Sequence, residues 1–186
     1  MQLSIRFFAA IVMVIILFSN APARAQPTSE KTLYGLRIGV LAHDVDHFWS
    51  RSRAEGGVDM NAEVVFNQPS FSILTGRLLP NVGASINSQK DTSKLYGGFI
   101  WEFLIGPVFF MNSGIGLAVQ DGDLDSDDEN KKQLGSRLLF RVPFEIGISL
   151  GERHRISAMF DHISNAYLAS PNEGLDTIGV RYGFQF

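Results

Sequence analysis

The sequence predicts an all-β protein, an eight-stranded antiparallel transmembrane β-barrel of the outer-membrane type. Three observations predict it: an export signal at the start, eight segments in which bulky apolar residues alternate with small or charged ones, and alternating aromatic residues up to Phe186. Period-two alternation is typical of strands whose two faces meet different surroundings. In outer-membrane barrels the apolar face contacts lipid and the other face lines the lumen.

The first 25 residues have the features of a secretory signal peptide. Arg6 precedes an apolar run from Phe7 to Phe18, and Ala23-Arg24-Ala25 has the small-x-small pattern of a cleavage site. The run has about 12 residues, fewer than the roughly 20 that a transmembrane helix needs. We therefore expect residues 1–25 to be removed and residues 26–186 to form a single barrel domain.

Composition excludes several classes of function. Removal of residues 1–25 takes away two arginines and leaves 14 basic against 19 acidic residues, a net charge of −5. This acidic balance gives no reason to expect a nucleic acid as partner. The chain has no cysteine, so disulfides and thiolate chemistry are absent.

Each predicted strand has one apolar and one polar or small face. The eight strands are Tyr34–Ala42, Asp59–Asn67, Arg77–Asn87, Leu95–Ile105, Phe109–Val119, Arg137–Leu150, Arg155–Asp161 and Thr177–Phe186. Their apolar faces carry, in the same order, Leu36 and Ile38, Val64 and Phe66, Val82 and Ile86, Phe99 and Trp101, Ile115 and Leu117, Phe140 and Phe144, Ile156 and Phe160, and Val180 and Tyr182. This face is large and uniform, so we predict that it faces lipid.

The other face suits a narrow lumen. Eight strands enclose only enough room for their own side chains. Glycines fill this face together with charges of both signs, namely Arg37, Arg141 and Arg181 with Glu63, Glu102 and Glu145. The barrel must also close, because hydrocarbon tolerates no unpaired strand edge.

Loop lengths predict the topology. The tight turns at 106–107 and 151–154 are placed on the periplasmic side, and the longer polar segments 43–56, 87–94, 120–133 and 165–175 outside. Segment 67–76 is also periplasmic, although its length has no explanation in the sequence. We interpret the acidic stretch 121–132, and the segment with His43 and His47, as solvated loops and not as metal sites.

Three polar residues occupy the apolar face of the last two strands. His162 and Ser164 are two residues apart, with the parity of Phe160, and Asp176 has the parity of Ile178. Unpaired polar groups facing hydrocarbon are costly. A hydrogen-bonded Ser-His-Asp set removes that cost and is also the arrangement that activates a serine nucleophile. The alternative is that these are rim residues that dip into the lipid head groups.

The last 35 or so residues resemble the outer-membrane lipid A 3-O-deacylase family. The resemblance rests on His162-Ile-Ser164-Asn165-Ala166, on Pro171-Asn172-x-Gly174-x-acid, and on the final aromatic strand. It implies that His162 and Ser164 belong to a catalytic triad. It places the acid at Asp176, a departure because the family has glutamate there; Glu173 is the alternative acid.

The resemblance also implies the reaction. Ser164 attacks the 3-position acyl ester of lipid A, His162 transfers the proton, and neither metal nor cofactor is required. Asn172 is a candidate oxyanion donor together with a backbone N–H near Ala166 or Tyr167; Asn165 either assists or only shapes the turn. The partners are then lipopolysaccharide and the bacterial outer membrane, with a homodimer left open.

Other functions remain open on the residues alone. A non-catalytic barrel serving adhesion or envelope integrity would tolerate loss of Ser164. A soluble periplasmic lipid-binding barrel would need no detergent, which the outward aromatic face argues against. Within the enzyme class, a phospholipid ester is the alternative substrate.

Overall fold

The structure contains the strands that the alternation of apolar and polar residues predicts. The computed structural model describes residues 32–46, 48–50, 55–68, 72–73 and 76–186, so the predicted signal peptide lies outside the described residues. The strands are β1 Leu33–Ala42, β2 Val58–Phe66, β3 Ser72–Ile73, β4 Gly76–Asn87, β5 Lys94–Ile105, β6 Phe109–Gln120, β7 Leu138–Leu150, β8 His154–Ser164 and β9 Leu175–Gln185. No helix in the described ranges is long and apolar enough to cross a membrane.

Eight antiparallel strands close into a barrel, as predicted. The order around the sheet is β2-β1-β9-β8-β7-β6-β5-β4, and pairing of β2 with β4 closes it. A further short strand, β3, pairs with Gly76 and Arg77 at the start of β4. The segment 67–76, whose length the sequence does not explain, therefore includes residues that pair with the barrel wall.

The connections are sorted between the two ends of the barrel. The short turns 106–108 and 151–153 lie at one end, the turn end. The other end, the loop end, carries four longer connections: L1 (43–57), L2 (88–93), L3 (121–137) and L4 (165–174). The grouping of short turns at one end and longer loops at the other is as predicted, and the placement of the turn end in the periplasm stays a prediction.

Apolar side chains cover the outside of the wall. Ile38, Met60, Leu95, Ile115 and Val180, from five different strands, are each 59–65% exposed. Soluble monomers rarely expose contiguous apolar patches of this extent, so this surface is suited to contact with the hydrocarbon of a membrane. The predicted assignment of the lipid-facing side is confirmed.

The lumen holds a layer of paired charges at mid-height. Arg37 Nη1 lies 3.1 Å from both Glu63 Oε1 and Glu145 Oε2, and Arg181 Nη2 lies 3.1 and 3.0 Å from the same two carboxylates. All four side chains are buried. Mutual pairing compensates their loss of hydration, which is otherwise several kcal/mol per ion.

Apolar clusters lie in the lumen on both sides of the ionic layer. Towards the turn end are Val65, Leu79 and Ile100. The loop-end cluster consists of Tyr96, Ala118, Leu134, Leu139, Ile163 and Leu175. Since Leu134 comes from L3, that loop enters the mouth of the barrel and is anchored to its core.

Candidate active site

The hairpin β8–L4–β9 brings the three predicted polar residues together. His162 and Asp176 are directly opposite in the β8–β9 register, and Ser164 is two residues beyond His162 on the same face. His162 Nδ1 lies 2.5 Å from Asp176 Oδ1, and His162 Nε2 lies 3.0 Å from Ser164 Oγ. The result is a continuous hydrogen-bonded chain from carboxylate to imidazole to hydroxyl on the outer wall at the loop end.

L1 covers the carboxylate of Asp176. The second carboxylate oxygen, Oδ2, accepts hydrogen bonds from the main-chain N–H groups of Trp49 and Ser50, each at 2.6 Å. Val45 N–H donates to the Asp176 carbonyl at 2.9 Å. Asp176 is consequently fully buried although its strand parity points outward. Sequence reasoning missed these L1 contacts, since nothing near Asp176 in the chain indicates them.

The imidazole of His162 is bordered on two sides. The indole of Trp49 packs edge-on against it, with ring centroids 4.8 Å apart and an interplanar angle of 69°. On the L4 side, Gly174 has φ +70°, and a Cβ added there would lie 3.1 Å from His162 Cε1. The backbone conformation therefore favours glycine at this position, and any larger residue would press on the imidazole.

An apolar groove of about 320 Å³ opens on the outer wall beside these residues. Its lining consists of Phe48, Trp49, Ser113, Val142, Pro143, Phe144 and Phe160. Val142 is the β7 register partner of His162, so the groove adjoins the hydrogen-bonded chain. It is almost entirely apolar, which suits a hydrocarbon chain.

The groove coincides with an interruption of the β6–β7 ladder. Pairing runs as far as Ser113 with Phe144 and resumes at Gly116 with Arg141. Pro143 lies in this gap, and proline has no N–H to donate to a ladder. A proline inside a barrel strand thus locally weakens pairing where the wall is recessed.

Comparisons with known proteins identify the family. The family model described as "Lipid A 3-O-deacylase (PagL)" matches residues 44–185. Lipid A deacylase PagL of Bordetella bronchiseptica (strain ATCC BAA-588 / NCTC 13252 / RB50) is 33% identical over 185 residues, 94% of this chain and 93% of that protein. The chain belongs to the lipid A 3-O-deacylase family. It is therefore a carboxylic ester hydrolase of the bacterial outer membrane.

Solved structures agree on the fold of this deacylase-family barrel. The crystal structure of the outer membrane enzyme PagL superposes with a TM-score of 0.57 at 20% identity, covering 79% of this chain and 97% of that one. The N-terminal β-barrel domain of Pseudomonas aeruginosa OprF gives a TM-score of 0.53 at 13% identity, covering 82% and 98%. At these identities the likeness shows an outer-membrane barrel and no more.

In this deacylase-family member, Asn165 joins L4 to L3. Its Nδ2 donates to the carbonyls of Leu134 and Pro171, at 3.0 and 2.8 Å, and its Oδ1 accepts from Tyr167 N–H at 2.9 Å. Both amide hydrogens are therefore used, and so is the Tyr167 N–H. The side chain of Asn165 holds the turn that follows Ser164, one of the two roles that the sequence left open.

Asn172 is differently placed. Its Oδ1 accepts the main-chain N–H of Asn165 at 3.0 Å. Because that partner is a donor, the atom facing it must be the amide oxygen, and the NH₂ group is directed elsewhere. Among the described residues, neither Asn172 Nδ2 nor the Ala166 N–H has a protein partner.

Glu173, the alternative acid, contacts a different loop. Its Oε2 accepts the Gln133 N–H at 2.8 Å, and its own N–H donates to the Gln133 carbonyl at 3.3 Å. Nearby, Gly135 has φ +67°, and a Cβ there would lie 1.9 Å from the Pro171 carbonyl oxygen. These contacts fasten L3 onto L4 and leave Asp176 as the carboxylate beside His162.

The interpretation of His43 as a solvated loop residue is wrong. The side chain is buried, with Nδ1 2.8 Å from Asp59 Oδ1 and Nε2 3.0 Å from Glu55 Oε2. Burial acts to lower the pKa of His43, but the hydrogen bonds to Asp59 and Glu55 outweigh it and raise the pKa to about 9. Glu55 also binds the main chain of Thr92 and Lys132, so this cluster joins L1, L2 and L3. His47 lies outside the described residues.

The acidic side chains of L3 between Asp121 and Glu129 are exposed, as predicted. The continuation of the loop is not, since Lys132 is fully buried and its Nζ lies 3.3 Å from Asp44 Oδ1. Among the described residues, no group of three or more His, Asp or Glu side chains is arranged to hold a metal ion.

Proposed function

We propose that this chain hydrolyses the 3-position acyl ester of lipid A with Ser164 as nucleophile, His162 as general base and acid, and Asp176 as the group that orients His162. The observation that carries the proposal is the hydrogen-bonded chain Asp176–His162–Ser164. A carboxylate at Nδ1 keeps the proton on that nitrogen, which leaves Nε2 free to accept the proton of Ser164.

The proposed reaction proceeds through an acyl-enzyme. Ser164 Oγ attacks the ester carbonyl while His162 Nε2 takes its proton. Collapse of the tetrahedral intermediate breaks the bond between the carbonyl carbon and the sugar 3-oxygen, which leaves with the proton from His162. Water, deprotonated by His162, then attacks the acyl-Ser164 ester; the bond between the carbonyl carbon and Ser164 Oγ breaks, Oγ takes the proton back from His162, and a 3-hydroxy fatty acid is released. Only water is consumed.

Two donors are available for the oxyanion. Asn172 Nδ2 and the Ala166 N–H follow Ser164 in L4 and have no protein partner among the described residues. We assign them this role in preference to the Asn165 amide, whose hydrogens are occupied. Donors of this kind are worth about 10²- to 10³-fold in kcat each.

The location of the three groups supports a lipid substrate. Ser164 ends β8 and Asp176 is the second residue of β9, so both lie where the wall meets the loop end. The ester bonds of outer-leaflet lipid lie at that level, and the adjoining apolar groove offers a place for the acyl chain. All three triad groups come from one chain, so the proposed chemistry does not depend on a homodimer.

Mass spectrometry of lipid A tests the proposal. The mature chain from residue 26, refolded in detergent, should remove one hydroxyacyl group, whereas Ser164→Ala and His162→Ala should remove none and keep the heat-modifiable migration of a folded barrel. Full activity of either variant would exclude the mechanism. Cleavage of phospholipid alone would replace the substrate, and no cleavage of either lipid by a folded native protein would favour a non-catalytic barrel.

A further inference from the structure

We propose that Trp49 is a positioning residue for the triad: it holds Asp176 through its main-chain N–H and His162 through its indole. The inference rests on the proposed function and adds to it a contribution from L1, a loop remote in sequence from β8 and β9. It concerns the orientation of two side chains and not contact with the reacting atoms.

The first support is that the two carboxylate oxygens of Asp176 have different hydrogen-bond partners. Oδ1 faces His162 Nδ1, while Oδ2 accepts the N–H groups of Trp49 and Ser50. A carboxylate so held cannot rotate about its Cβ–Cγ bond without breaking two short hydrogen bonds. These bonds also compensate the complete burial of the ionised group, which would otherwise be costly.

The second support is the enclosure of the imidazole. Trp49 lies edge-on to His162 at 4.8 Å and also packs against Phe160 at 6.0 Å, so the indole is itself anchored on the barrel wall. On L4, Gly174 has no side chain, so its backbone lies beside the ring where a Cβ would come within 3.1 Å of His162 Cε1. The indole and the hydrogen bonds to Asp176 and Ser164 thus hold the ring in the orientation that points Nδ1 to Asp176 and Nε2 to Ser164.

The neighbouring residue Phe48 provides a control that distinguishes positioning of the triad from binding of the acyl chain. Both Phe48 and Trp49 line the groove. Phe48 is 54% exposed and packs at a tilt against Phe160, with ring centroids 5.4 Å apart, whereas the ring contact with His162 is made by Trp49. Removal of Phe48 should therefore weaken binding of the acyl chain alone, while removal of the indole should also disturb the triad.

Steady-state kinetics on lipid A in mixed micelles provide the first test, with the refolded mature chain. We expect Trp49→Ala to lower kcat about 10- to 100-fold, since small misplacements of catalytic groups cost that much. Phe48→Ala should raise KM with kcat within about twofold of native, and Trp49→Phe should recover most of the lost kcat. A native kcat in Trp49→Ala, or the same KM-only effect in both alanine variants, would overturn the inference.

A fluorescence measurement tests the contact without turnover. The chain has two tryptophans, so in a Trp101→Phe background Trp49 is the sole emitter. The imidazole of His162 covers one edge of this indole, so at one fixed pH we expect His162→Ala to expose Trp49 and shift its emission to longer wavelength. Unchanged emission in His162→Ala would disprove the contact. An inactive native enzyme in which this shift is nevertheless seen would count against the proposed reaction and not against the position of Trp49.

Discussion

His162 and Asp176 are register partners across the β8–β9 ladder, with Nδ1 and Oδ1 2.5 Å apart. Their separation of 14 residues along the chain is closed by one hairpin, so the distance between imidazole and carboxylate is set by strand pairing. Strands hold functional side chains more precisely than loops do. The orientation of the pair, however, depends on L1 as well.

Replacement of Asp176 by asparagine should lower kcat about 10³- to 10⁴-fold with little change in KM. The amide would present NH₂ to His162 Nδ1 and favour the tautomer whose Nε2 cannot accept the Ser164 proton. Its oxygen would still accept the Trp49 and Ser50 N–H groups, so the barrel should remain folded. Turnover of lipid A and heat-modifiable migration measure the two effects.

Glu173→Gln is the matched control for that variant. Its side-chain oxygen can still accept the Gln133 N–H, so the L3–L4 contact survives while the charge is lost. We expect kcat within about twofold of native. A greater loss in Glu173→Gln than in Asp176→Asn would transfer the role of the acid to Glu173.

Gly174→Ala should reduce activity much more than Gly151→Ala does. The two glycines have nearly the same φ, +70° and +71°, so the backbone strain of an alanine is matched. The new methyl at 174 would lie 3.1 Å from His162 Cε1, whereas at 151 it would meet nothing within 4 Å. We expect about a 10-fold or larger fall in kcat for Gly174→Ala only. Equal kcat values in the two variants would contradict this role of Gly174.

The His43 cluster should make the order of L1 depend on pH. The pKa of His43 in the folded state is about 9, above the ordinary value of 6.5. The stabilisation of L1 by protonated His43 is therefore fully present below pH 6.5 and is lost as the pH rises through 9. Burial acts to raise the pKa of Glu55, but the hydrogen bond from His43 outweighs it, so the pKa of Glu55 lies below its ordinary value of 4.5. The contact between His43 and Glu55 therefore also weakens in acid, as the pH falls below about 4.5.

Hydrogen exchange of L1 amides against pH measures this dependence. After correction for the intrinsic rate, protection at Trp49 and Ser50 should fall between pH 6.5 and 9 in the native protein. His43→Gln should show low protection throughout, because no charge is left to titrate. Native protection that stays constant up to pH 10 would show that His43 does not hold L1 in place.

Glu145→Leu should destabilise the barrel by about 3–5 kcal/mol, the cost of leaving buried charges without a partner. Glu145 accepts hydrogen bonds from Arg37, Arg181 and Ser157, and leucine would satisfy none of them. The adjacent Ile146, half exposed on the outer face, provides the control as Ile146→Val. Urea unfolding in a defined detergent compares the two; equal midpoints would show that the ionic layer adds no stability.

Alternation in the sequence determined the strand number, the lipid-facing side and the positions of the loops. It could do so because side-chain direction in a strand is a local property with a period of two. The same parity put His162 and Ser164 on one face and Asp176 on the matching face of the next strand. The segment around Pro143 was also predicted as strand, correctly, but the groove beside it was not predicted.

Only the tertiary structure decided how L1 and L3 fold back over the loop end. The two N–H groups on Asp176 come from residues more than 120 positions away, and the partners of His43 lie on L1 and β2. Loops obey no periodicity, and a buried polar group is recognised only once its partners are in place. The sequence by itself therefore determined the barrel and the three aligned polar residues. The burial of Asp176, the enclosure of His162 by Trp49 and the groove depend on long-range packing that no local pattern encodes.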